Sequence, residues 1–172
     1  MIDLTEIRAA AERIASEAVV TPVVRSDELD ELTGATVFCK DESRQRAGAF
    51  TFRGAFNRLS LIPPADRGRG VVAVSSGNHG AAIACAAHLL GLRATVHVPE
   101  DVPSAKRSLI EQYGAAIVTF PRSTPDREAG ARRQVAETGA TFVHPFDDPV
   151  VMAGQGTAAL ELHEQIGGLD VL

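Results

Sequence analysis

The chain has 172 residues, 45% of them hydrophobic and 23% charged, with a net charge of −5. This composition is typical of a folded globular protein and excludes a disordered tail, a collagen-like chain and a coiled coil. The negative charge gives no support for nucleic-acid binding, and the apolar runs are too short to predict a membrane-spanning helix. Two cysteines, Cys39 and Cys85, and an N-terminus without a signal-peptide pattern favour a cytoplasmic location.

The first predicted element is an amphipathic helix from Asp3 to Ala18. Asp3 and Glu6 have the spacing of a capping box, in which each side chain bonds the other residue's backbone N–H. Thr21-Pro22 ends this helix, because a residue that precedes proline avoids helical backbone angles. A short strand is predicted at residues 36–40.

From Val71 onward, predicted strands and helices alternate with short connections. The strands are 71–74, 94–98, 115–120, 141–143 and 169–172; the helices are 80–90, 104–113 capped by Ser104, 124–138 opened by Thr124-Pro125, and 150–166. Because these strands are continuous apolar runs, they predict an α/β fold with a three-layer open parallel sheet covered on both faces. The helix at 80–90 is apolar nearly all round, so it is predicted to be buried, with Cys85 as a core thiol.

The most informative segment is Ser75–Gly80, with the sequence SSGNHG, between an apolar strand and an apolar helix. A helix N-terminus offers unpaired backbone N–H groups and the positive end of the helix dipole. Hydroxyl, amide and glycine residues there favour a site for a carboxylate or phosphate, at the sheet edge where open α/β folds bind ligands. An ordinary glycine-rich turn is the alternative explanation. The segment matches neither a Walker loop nor GxGxxG.

A second segment, residues 40–55, completes a resemblance. The chain resembles fold-type II pyridoxal-phosphate enzymes, in the threonine/serine dehydratase and serine racemase branch, whose pattern is K-x-E-x-x-Q-x-T-G-S-F-K-x-R-G-A. The matching residues are Lys40, Glu42, Gln45, Gly48, Phe50, Arg53, Gly54 and Ala55, with the whole SSGNHG loop and the later motifs at 98–100, 144–149, 154–157 and Glu161. The likeness covers almost the whole chain and implies the fold of that family's small domain.

Two departures from the family pattern decide the functional expectation. The lysine that forms the Schiff base in the family falls on Thr51, which has no amine and cannot form an imine. Lys40, the strand lysine of the motif, and Lys106, on a helix expected to be exposed, are poor substitutes. The glycine-rich phosphate loop and the residue for the pyridine nitrogen would lie beyond residue 172. No covalently bound cofactor is therefore expected, although the family uses pyridoxal phosphate.

The resemblance also divides the chain and assigns roles. Residues 1–50 would begin an incomplete large domain, 51–149 form the small α/β domain, and 150–172 return to the large domain. Phe50 and Asn78 would contact the cofactor ring, and Ser76 occupies the position of a proton-transfer serine. The anion-binding residues would be Ser75, Ser76, Gly77, Asn78, His79 and Gly80.

Structural roles compete with some of these assignments. The Thr51 hydroxyl is expected either to bind a ligand or to cap a helix. Arg53 is expected to form a structural ion pair, and Asp147 and Asp148 to be turn and cap residues. The histidines lack metal-ligand spacing, so no metal site is predicted.

Three hypotheses for the function remain open. The first is a repurposed site for a small carboxylate or amino-acid-like ligand, or for a reaction independent of pyridoxal phosphate. The second is a non-catalytic protein whose exposed apolar surface at residues 19–24, residues 36–40 and the last helix is covered by a homodimer or a partner chain. The third is a fragment or Lys-to-Thr variant of a threonine/serine ammonia-lyase.

Overall fold

The computed structural model describes residues 2–171, which form eight α-helices and six β-strands. The helices are α1 (Leu4–Ile14), α2 (Asp27–Thr33), α3 (Thr51–Ser60), α4 (Pro64–Arg67), α5 (Asn78–Leu90), α6 (Ser104–Gln112), α7 (Ala129–Thr138) and α8 (Pro149–Ile166). The strands are β1 (Val23–Arg25), β2 (Phe38–Lys40), β3 (Val71–Val74), β4 (Ala94–Pro99), β5 (Ala116–Phe120) and β6 (Thr141–Phe142). Two 3₁₀ turns, Glu42–Arg44 and Arg46–Gly48, join β2 to α3.

Four strands form the predicted parallel sheet, in the order β5-β4-β3-β6. Val71 of β3 lies opposite Ala94 of β4 and Thr141 of β6, so β3 is central. β5 lies at the edge, and the side chain of Val118 in this strand is 41% exposed. The α/β fold class with an open parallel sheet is therefore confirmed.

Helices cover the two faces of the sheet, as a three-layer architecture requires. Side chains alternate between faces along a strand. Val71 and Ala73 of β3 pack in the main core with α5, whereas Val72 packs against Ala131 of α7. α5 is buried from His79 to Ala87, including Cys85, whose thiol pKa is raised by burial. The prediction of a buried helix with a core thiol is confirmed.

Helices α1, α3 and α8 form a cluster beside the sheet, and α3 connects this cluster to α5. α1 has the predicted capping box, with mutual bonds of 2.9 Å between Asp3 and Glu6, but it ends at Ile14 and not at Ala18. α3 and α8 approach closely because both carry glycine at the crossing. A Cβ on Gly154 would lie 2.6 Å from the Cα of Gly54.

A second, two-stranded antiparallel sheet pairs β1 with β2. Only β2 follows from the strand predicted at residues 36–40. β1 and the short helix α2, which Ser26 caps at its N-terminus, are absent from the sequence prediction. β1 has three residues, too few to show an alternating pattern, and it depends on pairing with β2.

Three other local predictions are wrong. Ser104 does not cap α6, because Pro103 holds the N-cap position and no side chain makes a cap bond there. α7 begins at Ala129 and not at Thr124-Pro125, since residues 121–128 form turns. Residues 169–171 form no strand, and Leu172 lies outside the described residues. Among residues 2–171, no helix is both long enough and apolar enough to cross a membrane.

Candidate functional site

The Ser75–Gly80 loop joins the end of β3 to the start of α5. The Ser75 N–H donates to the His97 carbonyl of β4 at 2.9 Å, and the Ser75 hydroxyl accepts from the Gly77 N–H at 3.0 Å. Gly77 is the N-cap residue of α5 and makes no side-chain cap bond. The first backbone N–H groups of α5 therefore have no side-chain acceptor among the described residues, which is the arrangement that favours an anion at a helix N-terminus.

Glycine at position 80 lets α5 start close to the sheet. A Cβ there would lie 2.9 Å from Cγ1 of Val96 and 3.2 Å from Cβ of Ser75. Contacts below 3.0 Å force neighbouring atoms to move, so the local packing requires a residue without a side chain. Gly80 thus places the N-terminus of α5 directly behind the Ser75 side chain.

The side chains of the loop differ in their exposure. Ser76 and Asn78 are exposed, Ser75 and Gly77 are half-buried, and His79 is only 6% exposed. The exposed hydroxyl and amide are available to a ligand. The ring of His79 is held inside the protein, with Nε2 3.3 Å from the Val143 carbonyl oxygen.

His79 is neutral in this environment. Burial lowers its pKa to about 4, and the Val143 carbonyl opposes this only in part. Because a carbonyl only accepts hydrogen bonds, Nε2 carries the proton and Nδ1 holds a lone pair. Nδ1 is buried and has no hydrogen-bond partner among the described residues.

A cavity of about 280 Å³ lies next to the loop, beyond the carboxyl ends of β3, β4 and β5. Its lining residues are Val74, Ser75, Ser76, Pro99, Phe120, Arg122, Arg127, Glu128, Pro145 and Phe146. Arg122 pairs with Asp101, with 2.6 Å between Nε and Oδ2, whereas Arg127 forms no ion pair with any described residue. The cavity therefore combines two serine hydroxyls with the guanidinium of Arg127, which forms no ion pair with a carboxylate of residues 2–171.

Thr51 is the first residue of α3, and Phe50 holds the N-cap position. The expectation that the Thr51 hydroxyl caps the helix is wrong, because the helix has no side-chain cap bond and Thr51 Oγ1 is buried with no hydrogen-bond partner in the described part of the chain. Native structures rarely leave a buried hydroxyl unpaired. The Phe50 side chain beside it is 47% exposed.

Pyridoxal phosphate fits these residues only in part. Phe50 exposes its ring and Asn78 its amide, as the ring contacts implied by the resemblance require. The hydroxyl of Thr51 cannot supply the amine of an imine. Lys40 is not available either, since its ammonium pairs with Glu161 and donates to Gln165 Oε1 at 2.6 Å.

The structure brings one unpredicted residue to the loop. The ammonium of Lys106 on α6 donates a hydrogen bond to Oδ1 of Asn78, although the two residues are 28 positions apart. α6 is mostly exposed, as predicted, and Lys106 is half-buried on it. A helical pattern gives no sign of this contact, because it depends on how α5 and α6 pack.

Other predicted residues have the expected structural roles. Arg53 is 1% exposed and donates to Glu42 at 2.7 and 2.8 Å and to Glu161 at 3.1 Å, which confirms a structural ion pair. Burial raises the pKa of Glu161, but bonds from Arg53 and Lys40 outweigh it and hold that pKa below its usual value. Asp148 caps α8 by accepting from the Val150 N–H at 2.8 Å, as predicted.

Among residues 2–171, no three His, Cys, Asp or Glu side chains cluster as metal ligands.

Comparison with known proteins places this arrangement in a family. A sequence model of the family described as "Pyridoxal-phosphate dependent enzyme" matches residues 14–172. The chain belongs to this family. It is 51% identical over 163 residues to an L-threo-3-hydroxyaspartate ammonia-lyase from Pseudomonas sp, a match that covers 95% of this chain and 51% of that protein. It is 44% identical to a serine racemase from Schizosaccharomyces pombe, covering 97% of this chain and 52% of that protein.

The structure of maize serine racemase has the same fold over this region. It superposes with a TM-score of 0.93 at 40% identity and covers 98% of this chain but 51% of its own. This chain thus has the fold-type II architecture. It spans about half the length of the curated relatives that it matches. The division at residues 50 and 149, and the ligand roles of residues 50, 51 and 75–80, stay predictions.

Proposed function

We propose that this chain binds a small carboxylic acid of the hydroxy- or amino-acid class at the Ser75–Gly80 loop, without an imine at position 51. The observation that carries this proposal is the cavity that Ser75, Ser76 and Arg127 line together. A carboxylate there would accept hydrogen bonds from the loop and lie near an unneutralised guanidinium. Hydrogen bonds between charged groups contribute about 1.5–3 kcal/mol each.

A second acidic group would suit this cavity better than an apolar one. Arg127 lines it without an ion pair to any described residue, and Arg122 lines it while paired with Asp101. Glu128, an acid in the same lining, pairs with Arg132 at 2.9 Å. The Pseudomonas relative is named for a substrate with two carboxylates, L-threo-3-hydroxyaspartate. We therefore expect dicarboxylates such as malonate and 3-hydroxyaspartate to bind more tightly than threonine or serine.

Calorimetric titration of the chain with malonate, L-threo-3-hydroxyaspartate and L-threonine tests the proposal. The two dicarboxylates should bind saturably, and Arg127→Met should weaken them by about tenfold, which corresponds to about 1.4 kcal/mol. Arg107→Met removes an exposed arginine that pairs with Glu111 on α6, so this matched control should bind like the unmodified chain. The absence of saturable binding by the unmodified chain would overturn the proposal.

A further inference from the structure

The chain has two lysines, and their surroundings differ. Lys40 is fixed by an ion pair with Glu161 and a bond to the Thr21 carbonyl at 2.6 Å. Lys106 forms no ion pair with any described residue, and its ammonium contacts the side chain of Asn78 instead. The carboxylate of Glu111 on α6 pairs with the neighbouring Arg107 and not with Lys106.

The contact determines which way the Asn78 amide points. An ammonium group only donates hydrogen bonds, so it binds the oxygen of the amide and not its nitrogen. With Oδ1 facing Lys106, the two N–H donors of Nδ2 point away from it. An asparagine without such a partner would be free to rotate its amide and present either an acceptor or a donor.

We propose that Lys106 is a positioning residue that fixes Asn78 as a hydrogen-bond donor, so that the Ser75–Gly80 loop selects ligands with an anionic oxygen. This inference rests on the proposed carboxylate site and names one source of its selectivity. Asn78 is exposed at the first turn of α5, where the backbone N–H groups are also donors. A ligand ammonium or N–H group would meet N–H donors there and find no acceptor among them, whereas a carboxylate oxygen would accept hydrogen bonds from them.

Lys106 also adds its charge to the same region. The backbone at the start of α5 carries the positive end of the helix dipole, and the Lys106 charge lies within hydrogen-bond reach of the first residue of that helix. The two roles of Lys106 separate experimentally. Glutamine keeps an N–H donor for Oδ1 but has no charge, while methionine has neither and keeps a stem of similar length.

The experiment measures malonate binding to four variants of the chain together with the NMR signal of the Asn78 side-chain amide. Lys106→Met should weaken binding by about tenfold and shift the Asn78 amide signal. Lys106→Arg should keep the malonate affinity and the Asn78 amide signal near those of the unmodified chain. Lys106→Gln should keep the amide signal and weaken malonate binding less than Lys106→Met does. Arg107→Met, which removes the same charge one residue away, should change neither.

The outcomes separate this inference from the proposed function. Saturable malonate binding that Lys106→Met leaves within about twofold of the unmodified value overturns the role of Lys106 and leaves the carboxylate site intact. An equal loss in Lys106→Met and Arg107→Met also overturns it, because general charge would then explain the effect. No binding by the unmodified chain overturns both.

Discussion

At the scale of single residues, His79 makes the folding stability depend on pH. Burial lowers the pKa of this histidine to about 4 in the folded chain, against 6.5 for an exposed histidine. Between these values the unfolded chain binds a proton that the folded chain does not. The stabilisation is therefore complete above pH 6.5 and is lost as the pH falls towards 4, by about 3 kcal/mol in total.

Urea unfolding at several pH values checks this expectation. His79→Gln keeps a nitrogen donor near the Val143 carbonyl but does not titrate, so its free energy of unfolding should fall less between pH 6.5 and pH 4 than that of the unmodified chain. His88→Gln removes an exposed histidine of the same helix and should leave the slope unchanged. Parallel curves for the unmodified chain and His79→Gln would contradict the assignment.

Position 51 gives a second prediction at this scale. Thr51→Lys places an amine at the position of the family lysine, next in the chain to the exposed residue Phe50. We expect borohydride treatment with pyridoxal phosphate to give an adduct at residue 51 of this variant, identified by mass spectrometry of its peptides. The unmodified chain should give none at this position, because threonine cannot form an imine.

Ser104→Lys serves as the control for this experiment, since it adds an exposed lysine elsewhere on the surface. If residue 104 in that variant reacts as strongly as residue 51 does in Thr51→Lys, the reaction is not directed by a binding site. The same peptide analysis reports on Lys40 and Lys106. A specific adduct on either of them in the unmodified chain would contradict the proposed non-covalent site.

At the scale of elements, the crossing of α3 and α8 depends on two glycines. A Cβ on Gly54 would lie 2.6 Å from the Val151 carbonyl oxygen, and one on Gly154 would lie 2.7 Å from the Arg53 carbonyl oxygen. Both obstacles are backbone atoms, which move only with their helices. Gly154→Ala should therefore lower the free energy of unfolding by about 1–3 kcal/mol.

Gly68→Ala is the matched control, because a Cβ at Gly68 meets no atom within 4 Å. Its φ of −64° suits alanine, so this variant should be as stable as the unmodified chain or slightly more stable. Chemical denaturation of the two variants side by side measures the difference. Equal stability of Gly154→Ala and Gly68→Ala would show that α8 moves away from α3 at little cost.

At the scale of the whole molecule, an apolar surface near the two-stranded sheet favours association. The side chains of Val19, Val20 and Val24 are 40%, 70% and 45% exposed. Nearby in the chain, Thr33 and residues 35–38 line a cavity of about 630 Å³ together with Leu162 and residues 168–171. Exposed apolar surface of this kind is typical of interfaces, so we expect the chain to form a homodimer or to bind a partner chain here.

Sedimentation over a range of concentrations tests the homodimer. The unmodified chain should show an increasing dimer fraction, and Val20→Lys should shift it to monomer by placing a charge on the apolar surface. Val118→Lys makes the same change on the exposed edge strand β5 and should leave the dimer fraction unchanged. Monomer at every concentration for the unmodified chain would count against self-association.

How far the sequence predicts the structure depends on whether a pattern is local. β3, β4 and α5 can be predicted because predominantly apolar runs of their length indicate burial directly. The strand predicted at 169–172 fails in its described part for the opposite reason. A strand needs a neighbour to pair with, and residues 169–171 instead line a cavity with Thr33 and residues 35–38.

The features of the candidate site likewise fall into those that the local sequence predicts and those that only the packing of distant residues determines. The sequence alone determined that the SSGNHG loop follows a buried strand and that residue 51 is threonine, since both facts concern neighbouring residues. Only the tertiary structure decided that the Thr51 hydroxyl has no partner among residues 2–171, that Arg127 and Ser76 line one cavity, and that Lys106 binds Asn78. These contacts join residues far apart in the chain, and their geometry is set by helix packing that no local pattern encodes.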